Sequence, residues 1–111
     1  MRRISGVVVM PTDAPRANGR LTVELRDVTY LDAPAPLIAS SETDDIATSP
    51  TATHDFAMFA PDLPRRALAL RCHIALSAGM GVQPGDLLST RSVPVPATGD
   101  ADGLTVPVAR I

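Results

Sequence analysis

A chain of 111 residues is one domain, large enough to withdraw roughly two thirds of its unfolded surface from water, and it leaves no room for a second. A hydrophobic fraction of 45%, built on Val, Leu, Ile and Ala, excludes a disordered chain, and a formal charge of -2 gives a polyanion no electrostatic reason to bind. With no Trp, one Tyr and two Phe, the flat platforms on which sugars and single-stranded nucleic acids stack are missing too.

Pro and Gly cut the chain at regular intervals, and the pieces between them read as seven strands, with no long helical face. The first spans 4–10 (ISGVVVM). The Met-Arg-Arg start and this brief apolar run stop at Pro11, too soon for a signal-peptide core or a membrane helix, so no membrane insertion is expected and the chain as written is expected in the cytosol. An envelope or periplasmic location would follow only from a signal peptide already removed.

The second strand, 20–29 (RLTVELRDVT), alternates Leu21, Val23 and Leu25 with Thr22, Glu24 and Arg26, one face buried and one wet. The rhythm breaks at Asp27, which continues the buried phase and would be costly there as an unpaired carboxylate. Either a bulge brings Val28 inward or Asp27 caps the following turn through backbone N–H groups. Asp32 can serve similarly before Ala33-Pro34, and Pro34 and Pro36 deny helix and ladder to the connection. Asp27, Asp32, Pro34 and Pro36 are therefore read as a corner between sheets.

The third strand, 36–43, carries Leu37, Ala39 and Ser41 with no proline after Pro36, which makes it the best candidate for an edge that accepts a partner's strand. DDIATSP reads as the connection to the fourth strand, 52–60. Glu42, Asp44, Asp45, His54 and Asp55 around it hold oxygen and nitrogen ligands, but their spacing matches neither an EF-hand loop nor a zinc signature, so no metal or other cofactor is expected. The fifth strand, 67–77, places Leu68, Leu70, Cys72, Ile74 and Leu76 on one face, marking the centre of a sheet. Cys72, the single cysteine, cannot form an internal disulfide and reads as a small core hydrophobe, with His73 on the wet face. Ala67, Ala69 and Ala75 share that second face, an alternative surface for a homodimer.

AGMGVQPGD, without the order of a phosphate-binding loop, reads as a hairpin loop before the sixth strand, 87–95. There Pro94 and Pro96 would leave one side unpaired, and Arg91 falls in the inward phase. Pro107 marks the seventh strand, 103–110, as an edge or strand end in the same way. Asn18-Gly19 and Asp102-Gly103 supply turn residues. The expectation is an all-β, single-domain antiparallel β-sandwich of about seven strands, immunoglobulin-like. Acid and base are unevenly spread along it. Residues 40–62 hold five carboxylates and no Arg, whereas 63–91 hold Arg65, Arg66, Arg71 and Arg91 against Asp86; that every basic side chain is Arg does not by itself mark a phosphate site.

LTVELRDVTYLDAPAPLIA (21–39), HDFAMFAPDLPRRALALRCHIAL (54–76) and SGVVVMP (5–11) together resemble the YbaY/YscW family, small bacterial envelope lipoproteins that include type III secretion lipoprotein chaperones, or pilotins. The resemblance implies a compact β-sandwich that binds other proteins or assists their placement, with no catalytic residue to carry over. Members carry a lipid-modified cysteine after a signal peptide, whereas Cys72 lies inside a strand. The expected function is thus a non-catalytic, chaperone-like protein-binding module whose partner is another protein and not a nucleic acid. The alternative is a small enzyme with an acid/base site around His54 and the nearby carboxylates.

Overall fold

In a computed structural model, residues 1–30, 32–77 and 81–111 are described, and among them there is no helix. Eight strands follow in order: β1 (Arg2–Val9), β2 (Ala17–Asp27), β3 (Leu37–Thr48), β4 (Thr53–Ala60), β5 (Leu68–Ala75), β6 (Leu87–Ser89), β7 (Val93–Val95) and β8 (Ala101–Arg110). They hydrogen bond in the order β3-β2-β5-β6-β8-β1-β4, with β7 beside β5 next to β6. This is a single sheet curled until it nearly closes into a barrel, so the immunoglobulin-like sandwich expected from the strand count is not what these strands build. The pairing is not wholly antiparallel either, because β1 and β8 run parallel, from Ile4 opposite Ala101 to Val9 opposite Pro107.

A bulge adapts the parallel pair to this curvature. Between Ile4 and Gly6 the β8 strand inserts an extra residue at Asp102-Gly103, where Gly103 takes a φ of 65°. A Cβ on Gly6 would lie 2.1 Å from the Leu104 carbonyl oxygen, so only glycine lets the two backbones approach this closely. Asn18-Gly19, expected as a turn, instead lies within β2. There Gly19 faces the Ala75 carbonyl oxygen, 2.7 Å from where its Cβ would be.

The interior is one hydrophobic cluster drawn from nearly every strand. Ile4 and Val8 of β1, Leu21, Val23 and Leu25 of β2, Leu70, Cys72 and Ile74 of β5, and Val106 of β8 are all but inaccessible to water. Each fully buried Leu, Ile or Val side chain contributes about 1.5–3 kcal/mol relative to an exposed one. β5 lies centrally, between β2 and β6, as its alternation predicts.

Three edge readings change. The segment 87–95 is two short strands, and Arg91 is exposed in the link between them rather than pointing inward. β7 does have a single ladder neighbour, β5, with Pro94 opposite Ala69. β8 is not an edge: β6 and β1 flank it, and Pro107 falls just beyond the β6 ladder, its carbonyl accepting the Thr90 N–H at 3.2 Å. The strand beginning near residue 36 also runs on to Thr48, because DDIATSP is not a loop. Asp44-Asp45 is a bulge opposite Arg20, with Asp45 at a φ of 59° and Arg20 Nε 2.9 Å from Asp44 Oδ1.

Candidate protein-binding edge

The curled sheet ends in β3 on one side and β4 on the other. These strands are consecutive, joined through Ser49–Ala52, where Thr51 takes a φ of 59° and the Ala52 N–H bonds the Ser49 carbonyl at 3.2 Å. No ladder joins them, and they meet only weakly, so the barrel keeps an open seam with a free backbone edge on each side. A short link would ordinarily make a hairpin. Here β4 departs to pair with β1 over its whole length, from Thr53 opposite Val9 to Ala60 opposite Arg2, while β3 stays with β2.

Along β3, Ala39, Ser41 and Thr43 oppose Leu25, Val23 and Leu21, so they share the inward phase and are half-buried. A bulge between Leu25 and Arg26 puts Leu37 opposite Arg26 on the outer phase, half exposed at 50%. The core wall under this edge is therefore made of small or hydroxylated side chains, whereas β4 supplies the bulkier Phe56 and Met58, both buried. The outer phase of β4 carries Phe59, 64% exposed.

The segment after β2 is not a corner between sheets: Asp27 ends β2, and Asp32, Pro34 and Pro36 belong to the connection between β2 and β3, which are antiparallel neighbours. The Thr29 N–H donates to Asp27 Oδ1 at 3.0 Å, the Thr29 hydroxyl bonds the same oxygen, and the Ala67 N–H donates to the Thr29 hydroxyl. Arg66 Nε stands 3.6 Å from Asp27 Oδ2 and its guanidinium lies 5.7 Å from the centre of the Tyr30 ring. The Thr29 hydroxyl, then its N–H, hold the Asp27 carboxyl below its ordinary range, against a smaller opposing effect of burial. The Asp27 N–H donates to the Pro36 carbonyl at 3.0 Å, closing the connection. Asp32, Pro34 and Pro36 are exposed.

The acid/base set around His54 is not assembled. His54 Nδ1 is 2.7 Å from the Asp55 carbonyl oxygen, Asp55 and His54 point to opposite faces of β4, and no carboxylate of the described residues pairs with the imidazole. Asp44 is engaged by Arg20. Among the described residues no group of three His, Cys, Asp or Glu side chains gathers to hold a metal. Cys72 is fully enclosed, and burial pushes its thiol up to about 12, far from a nucleophile's range.

Two buried ionic residues escaped the sequence reading. Asp86 is 1% exposed. Its Oδ1 accepts the Leu76 N–H at 3.0 Å, and its Oδ2 accepts the Gln83 N–H at 2.9 Å and faces His73 Nε2 at 2.8 Å. Burial alone would raise this carboxyl, but the two N–H groups and His73 outweigh it and hold it low. His73 is thus partnered and partly buried rather than simply solvent-facing. Arg2 occupies the inward phase of β1 at one end of the barrel, bonding the carbonyls of Pro61, Pro96 and Gly99 and standing 3.7 Å from Asp62. The alternation Arg2, Ile4, Gly6, Val8 was the available signal for Arg2. Asp86, in a Pro-Gly-Asp turn, offered none. The Ala67, Ala69, Ala75 face is not a flat apolar surface, since Ala69 is buried. The AGMGVQPGD loop lies partly outside the described residues; its end is a turn in which the Asp86 N–H bonds the Gln83 carbonyl at 3.1 Å.

A nearly closed all-β sheet, open at one seam and built around a packed interior, defines the class. The chain is similar in structure to an alternative pilotin from the type II secretion system of Vibrio cholerae, with a TM-score of 0.65 and 19% sequence identity over 99% of this chain and 98% of that one. The likeness shows a common fold over the full length of both. No family model and no curated protein matches the chain.

Proposed function

We propose that this protein is a pilotin-like accessory protein of a bacterial secretion apparatus, related to the YbaY/YscW type, that binds an extended segment of another protein and has no catalytic activity. The observation that carries this reading is the free edge of β3 at the seam. An added strand can satisfy its unpaired backbone groups while alternate side chains settle against Ala39, Ser41 and Thr43. The full-length likeness to a pilotin fold supports the class of partner, and the dispersed His54 set leaves the enzymatic alternative without an assembled site.

The test exploits strand geometry. Of two neighbouring residues in β3, one N–H faces β2 and the other faces away, so Ala39→Pro and Ser40→Pro are made as a pair. The variant that keeps wild-type thermal stability has lost an outward N–H. That variant should lose the partners that the wild type captures from a native bacterial lysate. Retention of the same partners would eliminate the β3 edge, and substrate turnover abolished by His54→Ala would overturn the non-catalytic reading.

A further inference from the structure

On the far side of β5 from β2 the ladder is interrupted. β7 pairs with Leu68–Leu70 and β6 with His73 and Ile74, leaving Arg71 and Cys72 opposite the Thr90–Ser92 link, where no strand runs. The Cys72 N–H, which would otherwise reach a ladder carbonyl, donates to Ser89 Oγ at 3.1 Å. That oxygen accepts from Cys72, which leaves its own O–H to donate. The interruption opens a surface notch of about 310 Å³, lined by Arg71, Leu88, Ser89, Thr90, Arg91 and Ser92 with the edge of Leu70.

The lining is one-sided in charge. It is formed by two arginines and three hydroxyl-bearing residues and, among the described residues, no Asp or Glu. Glu24, the register partner of Arg71 on β2, is turned to Arg26 at 2.8 Å, and neither Arg71 nor Arg91 has an ion-pair or hydrogen-bond partner among the described residues. Arg20, Arg26 and Arg66, by contrast, each meet a carboxylate. Two cations that line one notch without a carboxylate partner favour the arrival of a counter-anion.

We propose that this notch is a binding site for a phosphomonoester-type dianion, with Arg71 and Arg91 as paired forks and the Ser89, Thr90 and Ser92 hydroxyls as further donors. Two guanidiniums match the charge of about -1.5 to -2 that such a group carries at neutral pH. The donors also outnumber what one carboxylate can accept, whereas three phosphoryl oxygens can receive both forks and the hydroxyls. Phosphate arrives either free, on a small soluble ester, or as the headgroup of an anionic lipid.

The full chain is titrated with inorganic phosphate at low ionic strength by NMR, following backbone amides, for the wild type, Arg71→Ala, Arg91→Ala and Arg16→Ala. Arg16 is an exposed arginine of the β1–β2 connection and controls for net charge. Saturable shifts should centre on 89–92, and affinity should fall about tenfold in each notch variant, the scale of losing a hydrogen bond to a charged group, and stay unchanged in Arg16→Ala. Both notch arginines are exposed, so the variants should unfold at the wild-type temperature. Vesicles of phosphatidic acid and of phosphatidylcholine then separate the sources. Phosphatidic acid binding that is lost in Arg71→Ala assigns a lipid headgroup, and phosphate binding without vesicle binding assigns a soluble ester. No saturable phosphate binding, an equal loss in Arg16→Ala, or tighter binding of an acidic peptide than of phosphate would overturn the site.

Discussion

At the scale of single residues, the ionic groups that matter are those the fold has taken out of water. Asp86 ties the end of β5, the turn before β6 and the His73 ring to one carboxylate, and its backbone carbonyl accepts the Ile111 N–H at 3.0 Å. Asp86→Ala would leave the Leu76 and Gln83 N–H groups without an acceptor, and it should cost about 2 kcal/mol in urea unfolding. The pH dependence follows from the depressed carboxyls. Asp86 and Asp27 both sit below their unfolded values, so their contribution is complete above about pH 4 and is lost as pH falls through their folded-state values. The wild type should therefore lose stability below about pH 4 more steeply than Asp86→Asn, whose deficit at neutral pH should shrink in acid; parallel pH profiles would show that the Asp86 carboxylate is not held low. Cys72 gives a complementary readout. Enclosed and pushed up to about 12, it should react with a thiol reagent only after denaturation, and rapid labelling of the native protein would contradict the inward phase of β5.

Among the elements, the bulges do most to convert a plain alternating pattern into this shape. Gly6→Ala forces a Cβ against the Leu104 carbonyl at the one parallel contact, and it should cost about 1–3 kcal/mol, the range for overpacking a tight site. A thermal midpoint equal to that of the wild type would mean that β1 and β8 are not so closely apposed. These same features explain what the sequence could and could not disclose. Period-two alternation is a local signal, and it located β1, β2, β4 and β5 to within a few residues, with the inward set of β5 correctly phased. A bulge breaks that signal without ending the strand. Asp44-Asp45 accordingly resembled a loop while β3 continued to Thr48, and Asp102-Gly103 resembled a turn while β8 had already begun at Ala101. Prolines mark a missing donor, not a missing neighbour, which is why Pro107 suggested an edge in a strand flanked on both sides. The candidate edge at Leu37, Ala39 and Ser41 could be proposed from composition, but its place at the end of the sheet depends on β4 leaving for β1, a long-range pairing that no local pattern encodes.

For the whole molecule, the consequence of that pairing is a nearly closed barrel whose two terminal strands, β3 and β4, have no ladder between them. Closure protects sheet edges from other chains, and the proposed binding of another chain rests on the edge left free along a strand as long as β3. The small inward side chains at 39, 41 and 43 give such a strand room to bury its own apolar residues, and the lack of a ladder across the seam means that no existing hydrogen bond has to be broken first. Residue-resolved amide hydrogen exchange tests this most directly, on the free protein and on its complex with the captured partner. In the free protein, alternate amides over residues 39–43 should exchange rapidly while those of β5 are slow, and in the complex the rapid set should slow by about tenfold or more with little change on β7. Amides over 39–43 that are all protected in the free protein, or that exchange at the same rate in the complex, would contradict the open edge as the binding surface.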